Sequence, residues 1–241
     1  MRLDMFEESD EEAHLPHPPL SLRVHLVVEA AICAAWELII RHGRDGFDLQ
    51  TASEDTVTLE LYERLYDKVF NKGVVKGFDR DVFASVHREP KVRNFNRLHP
   101  DKMPDMLLDF IDRPAGVMNS QHGLFIECKP VDRQHPTGSA YCDDGLIRFV
   151  RGDYAWTMQS ALMVGYARKG YSVVPQLTKA LTSARKEPIP TIFGPEPCRR
   201  TKATAFTEQV AISRHQRTFN YVENGLPAGN IVVRHLWLKR G

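Results

Sequence analysis

Asp105, behind Pro104, and the pair Glu127 and Lys129 in Ile126-Glu127-Cys128-Lys129 are residue types suited to metal-assisted cleavage of a phosphodiester. Hydrolysis of that bond builds negative charge on phosphoryl oxygens. A Mg²⁺ ion offsets the charge, using one or two carboxylates and keeping water and substrate oxygens in its shell. Asp105 and Glu127 would supply the carboxylates, and the backbone carbonyl of Cys128 a further oxygen. Lys129 would add a compact cation that holds the attacking water or stabilises the transition-state phosphate.

The flanking residues say how these groups would be displayed. Met106 to Ile111 is a short apolar run opened by Pro104, a residue tolerated where a strand begins. Gly123 to Lys129 is a second run, closed by Pro130. The stretch between them, Asp112 to His122, is rich in Asp, Pro, Gly, Asn and Ser and reads as a turn. The whole is a buried β-hairpin. Side chains alternate along a strand, so Glu127 and Lys129 share one face, Ile126 and Cys128 the other, and Asp105 converges from the neighbouring strand.

Pro104-Asp105, a gap, and then Glu127-Cys128-Lys129 resembles the signature of the PD-(D/E)XK nuclease superfamily. The resemblance implies an α/β, restriction-endonuclease-like core, a central mixed sheet flanked by helices. It also implies a metal-dependent nuclease that uses Mg²⁺ or Mn²⁺ on DNA, or on RNA. Many members bring a glutamate from the first core helix to the metal, a role that Glu29 matches. Related nucleases also place a glutamine and a tyrosine of a later helix near the site, which points to Gln159 and Tyr166. The alternative is a nuclease-like subunit without catalysis that binds nucleic acid or a protein partner. A third reading makes the two strings coincidental, with Glu127 and Lys129 a surface ion pair. By fold-level analogy alone, a small nuclease of this kind would suit bacterial or mobile-element DNA processing or defence, as a homodimer or with a partner that supplies recognition.

The remaining elements follow from periodicity and punctuation. Ser21 and Gly43 bracket a long helix with an apolar seam of Leu22, Leu26, Val28, Ile32 and Ile39. Glu29 lies off that seam, as a metal ligand, part of a polar stripe or the partner of an arginine. A second helix is expected over Ser53 to Asn71, then an extended stretch from Arg80 to Phe95 whose Arg88, Lys91 and Arg93 are candidates for phosphate contact. Asp132 to Gly145 reads as a loop over the site, Asp153 to Lys169 as a helix, and Tyr171 to Leu177 as the strand closing the core sheet. The segment 181–207 reads as a Pro-rich surface excursion whose Arg199, Arg200 and Lys202 could follow a backbone. Gln209 to Phe219 and Asn230 to Lys239 alternate around Asn224-Gly225-Leu226-Pro227 as a C-terminal β-hairpin extension, with Arg214 and Arg217 as phosphate-gripping candidates.

These readings describe one domain over 21–241 (core 21–180, excursion 181–207, hairpin 208–240) behind an acidic, proline-ended segment, 1–20. A net charge of +1 excludes nucleic-acid binding through bulk positive charge and leaves it to local clusters. Cys33, Cys128, Cys142 and Cys198 have no paired spacing, so reduced thiols in a cytoplasmic protein are expected. Leu26 to Ile40 is interrupted by Glu29 and Glu37 and is too short to cross a bilayer. His215 and His235 find no third residue at zinc-ligand spacing. The chain has neither a Gly-x-Ser-x-Gly elbow nor a Gly-rich phosphate loop, which argues against a serine hydrolase and an ATPase.

Overall fold

The computed structural model describes residues 14–43, 46–185 and 187–240, so most of the acidic N-terminal segment lies outside the described residues. The protein is α/β, with one seven-stranded mixed sheet between two helical layers. Helix α1 (Leu22–Arg41) and helix α2 (Glu54–Glu63), which runs on as a wider-turned segment over Arg64–Phe70, precede the first three strands. Those strands, β1 (Phe83–Arg88), β2 (Met106–Phe110) and β3 (Gly123–Val131), form an antiparallel meander. A crossover helix follows, wide-turned over Thr137–Leu146 and then α-helical as α3 (Ile147–Val150). It returns the chain to β4 (Ser160–Ala167), which pairs parallel to β3. Helix α4 (Val173–Thr182) leads to β5 (Thr191–Pro197), β6 (Ala211–His215) and β7 (Ile231–Lys239). Across the sheet the order is β1-β2-β3-β4-β7-β6-β5.

Both α1 and α2 start where their caps dictate. The Ser21 and Ser53 hydroxyls accept from the amides of Val24 and Thr56, and each satisfies one of the first-turn amides that a helix leaves without a partner. The face α1 buries is rotated from the expected seam. Leu22 is 44% exposed, whereas Glu29 and Trp36 are buried against the sheet. A direct pairing of Glu29 with Arg234 of β7 makes this tolerable, because a buried carboxylate without a partner is costly.

Ile126, Cys128, Leu162, Val164 and Tyr166 pack under α1 and α2, while Phe125, Val131, Met163 and Trp237 pack under the crossover helix and α4. Glu127 and Lys129 therefore point into the second layer, as alternation requires. At Gly165 a Cβ would come within 2.5 Å of the Trp237 ring, so only glycine lets β4 and β7 pair here with that indole in place. The same layer holds a buried polar chain: Ser213 Oγ lies 2.6 Å from His215 Nε2 and 2.7 Å from His235 Nε2, and His235 Nδ1 lies 3.0 Å from the Tyr141 hydroxyl. Burial lowers both imidazoles, His215 to about 4, so neither ring carries charge at neutral pH.

Several sequence expectations are corrected. Ser160–Ala167, expected within a helix, is the central strand β4, and every residue in it is buried. A strand covered on both faces shows no alternation, and Ala, Leu and Met read locally as helix formers. Tyr171 to Leu177, expected as a strand, instead leads into and opens helix α4 (Val173–Thr182), with Val173, Leu177 and Ala180 buried on one face. The expected loop from Asp132 to Gly145 contains most of the wide-turned part of the crossover helix, hidden by Gly138, Asp143, Asp144 and Gly145. Packing of Tyr141, Leu146 and Phe149 overrides those weak local preferences. The Pro-rich excursion carries edge strand β5, and the C-terminal hairpin is part of the main sheet, with β7 parallel to β4.

Candidate functional site

Asp105, Glu127 and Lys129 meet where the meander joins the parallel part of the sheet. Asp105 immediately precedes β2, and its Oδ2 accepts from the amide of Cys128 at 2.5 Å, which ties it to β3 between Glu127 and Lys129. Lys129 Nζ lies 3.2 Å from Glu127 Oε1 and 2.5 Å from Glu54 Oε1 at the first residue of α2. Arg148 of α3 donates to Glu127 Oε1 at 3.0 Å, and the Tyr154 hydroxyl donates to Glu127 Oε2. Five charged groups thus share one place, three carboxylates facing two cations. Glu127 is fully buried at its floor, while Glu54 and Arg148 are about one-third exposed at its rim.

Electrostatics follow from burial and crowding. Burial, then the Glu127 charge, push the Asp105 carboxyl up to about 7. Burial raises Glu127 against the pull of Lys129 and Arg148. For Lys129, burial is outweighed by Glu127, Asp105 and Glu54, which hold its ammonium firmly protonated. A cleft of about 470 Å³ opens beside the site at the carboxyl end of β3, lined by Gln50, Ser53, Glu54, His135, Arg168 and Arg240 among others.

Gly145 lets the crossover helix approach this closely. A Cβ there would meet Met163 Cε at 2.8 Å and Lys129 Cγ at 3.2 Å. Glu54, Arg148 and Tyr154 did not stand out in the sequence. The one local signal was Ser53, whose capping role places Glu54 in the first turn of a helix, where a carboxylate is favourable.

Other expected site residues lie elsewhere. Glu29 is held by Arg234, and the helical carboxylate at the site comes from α2 instead. Gln159 is not helical; it precedes β4 and donates to the carbonyl of His17 at 2.8 Å. Tyr166 lies on β4, facing the opposite layer, with its hydroxyl 2.9 Å from Thr58 Oγ1. Arg217 is buried, donating to the carbonyls of Trp156, Ala155 and Met158 at 2.6, 2.7 and 2.5 Å, and so cannot grip phosphate. Arg214, on β6, is three strands from β3, about 14 Å at ordinary strand spacing. Arg199, Arg200 and Lys202 follow β5, one strand further out.

Among the described residues, no group of three or more His, Cys, Asp or Glu side chains is arranged to enclose a metal ion. An ion that takes two carboxylates and fills its shell with water and substrate oxygens needs no such group. Asp105 and Glu127 are the two carboxylates that could enter such a shell; burial, joined at Asp105 by the Glu127 charge, raises the proton affinity of both. The raised Asp105 carboxyl gives a test in chelator. Its proton is held more tightly in the folded state, so its stabilising contribution is complete below about pH 4 and lost as pH rises through about 7. Asp105→Asn should therefore be more stable than the parent at about pH 8, by roughly 2–4 kcal/mol, and little changed near pH 4. Thermal melts at the two pH values measure this, and added Mg²⁺ should raise the parent's Tm more than the variant's.

No helix among the described residues is long and apolar enough to cross a membrane. Comparison of the chain with protein-family models, with curated proteins and with solved structures gives no match.

Proposed function

We propose that the chain is a Mg²⁺- or Mn²⁺-dependent nuclease of the PD-(D/E)XK type, built on a restriction-endonuclease-like core, that hydrolyses phosphodiester bonds of DNA, or of RNA. The observation that carries this reading is the meeting of Asp105 with Glu127 and Lys129 through the Cys128 amide, on adjacent antiparallel strands. The order of helix, three-stranded meander, crossover helix and parallel strand also favours it.

Asp105 and Glu127 would hold the metal, which when bound offsets charge on the phosphoryl oxygens. Lys129 has three N–H donors, of which Glu54 and Glu127 engage two. The third is available to an attacking water or to the phosphate. Arg148 offers further donors beside its bond to Glu127, at a rim that substrate can reach. Tyr154 holds Glu127 in orientation from the far side.

A second reading, a nuclease-like subunit that binds without cutting, draws support from the complete burial of Glu127 and its three protein partners. Incubation with labelled DNA and RNA in Mg²⁺, Mn²⁺ or chelator separates the two. Cleavage that needs the ion and disappears in Glu127→Gln is the expected result. Intact substrates in every condition, with no Glu127-dependent heat of Mn²⁺ binding, would leave the binding subunit as the better account.

A further inference from the structure

We infer that the protein engages a polynucleotide backbone through a rigid basic arm, residues 91–102, and the groove beside it along β2. This rests on the nuclease reading for the position of the scissile phosphate. The surface itself stands on separate observations.

The arm is a small antiparallel loop. Val92 and Lys102 exchange backbone hydrogen bonds at 2.8 and 3.1 Å, and the Asn94 amide donates to the His99 carbonyl at 3.1 Å. It is fastened from below: Trp156 Nε1 donates to the Arg93 carbonyl at 3.0 Å, and Phe95 stacks on Phe219 with ring centroids 4.4 Å apart. Val92 and Asn94 are buried, whereas Lys91 and Arg93 are exposed. Alternation thus sends both cations outward, about 6.6 Å apart along the strand, comparable to the separation of successive phosphates on one nucleic-acid strand. No carboxylate among the described residues pairs with either, in contrast to Arg88, Arg97 and Lys102, which meet Glu89, Glu223 and Asp153.

Position and charge give the arm its meaning. Its C-terminal end runs through Pro104 directly into Asp105, and Lys102 reaches Asp153, the neighbour of Tyr154. Residues 88–104 hold five Lys or Arg against two acidic residues, in a chain whose net charge is only +1. A groove of about 250 Å³ lies alongside, lined by His87, Lys91, Leu107, Arg113, Asn119 and Ser120 among others. Leu107 of β2 is two residues beyond Asp105 along the chain, so the groove runs beside the strand that leaves the reacting groups. Unpaired cations on a stiff frame, bordering a polar groove whose one carboxylate, Asp109, is met by His87 and Arg113, suit a polyanion.

The test is binding, which needs no cleavage. Fluorescence anisotropy in chelator, with Lys129→Met as the parent, is measured on labelled duplex DNA, duplex RNA and single-stranded DNA across a salt series. The double variant Lys91→Ala/Arg93→Ala should bind the preferred form at least about tenfold more weakly at low salt. The slope of log affinity against log salt should become shallower by about two. Both side chains are exposed, so the melting temperature should stay within about 2 °C of the parent. Unchanged affinity and slope, or a parent that binds none of the three forms, would overturn the inference. Binding that tracks Lys91 and Arg93 in a protein that never cuts would defeat the nuclease reading and keep the surface.

Discussion

Replacing Lys129 by methionine should lower the rate of metal-dependent cleavage about 10³-fold, as loss of a preorganised donor aimed at developing charge commonly does. Methionine keeps most of the volume of the lysine stem, which is itself mostly buried. The ammonium is removed, and with it the contacts to Glu127 and Glu54. Arg148 and Tyr154 still hold Glu127, so the floor of the site should survive. The loss should fall on kcat, with KM changing little, because the ammonium acts on charge that grows during the reaction. Lys129→Arg should not restore the rate, since a planar fork cannot occupy the place of a compact cation between two carboxylates. Single-turnover cleavage of the preferred substrate, beside a thermal melt, measures both properties. A methionine variant that melts normally and cuts within about tenfold of the parent rate would remove Lys129 from the chemistry.

The second large effect concerns a residue with no reacting role. Arg217→Ala should cost about 3–5 kcal/mol of stability and lower the melting temperature by roughly 10–15 °C. The guanidinium is buried against the loop that follows Tyr154, and it satisfies the carbonyls of Ala155, Trp156 and Met158. Burial lowers its proton affinity to about 10, so it remains charged at neutral pH. Truncation leaves three carbonyl oxygens without these donors and opens a hole beneath Phe219, over whose ring the guanidinium lies 5.7 Å from the centroid. Ala155, at φ +52°, is held in a left-handed conformation that the bonds from Arg217 help to fix. Tyr154 should then lose its fixed place on Glu127, and activity should fall faster on warming than far-UV ellipticity does. A melt within about 3 °C of the parent would show the arginine to be dispensable.

How much of this could be read beforehand depends on whether the cause was local. Asp105, Glu127 and Lys129 were legible because each lies in or next to a short apolar run bounded by proline, glycine or a polar turn, and strand alternation fixes which way each points. Glu54, Arg148 and Tyr154 reach the same place from other elements, by contacts that span 75, 21 and 27 residues of chain. No periodicity within one element reports such a contact. The misreadings between Asp132 and Leu177, a helix taken for a loop, a strand for a helix and a helix for a strand, had a different source. Ser160 to Ala167 is buried throughout, so the two-residue period that marks a strand was absent. The crossover helix carries Gly138 and Gly145, the latter needed for its close approach to Lys129, and glycine reads as a break. Arg217 and Glu29 were misread for a shared reason: charged side chains suggest a surface or a ligand, and only the three-dimensional partner reveals a structural bond.

The strand that bears Glu127 and Lys129 is hydrogen-bonded on both edges, to β2 in one direction sense and to β4 in the other, and all nine of its residues are buried. The segment to which the proposed chemistry is assigned is thus also the keystone of the architecture. Under the nuclease reading, any unfolding that disturbed it would end turnover together with the fold. Catalytic competence of the parent chain should therefore be lost no later than this strand melts, and no partly unfolded form that has released it should turn over substrate.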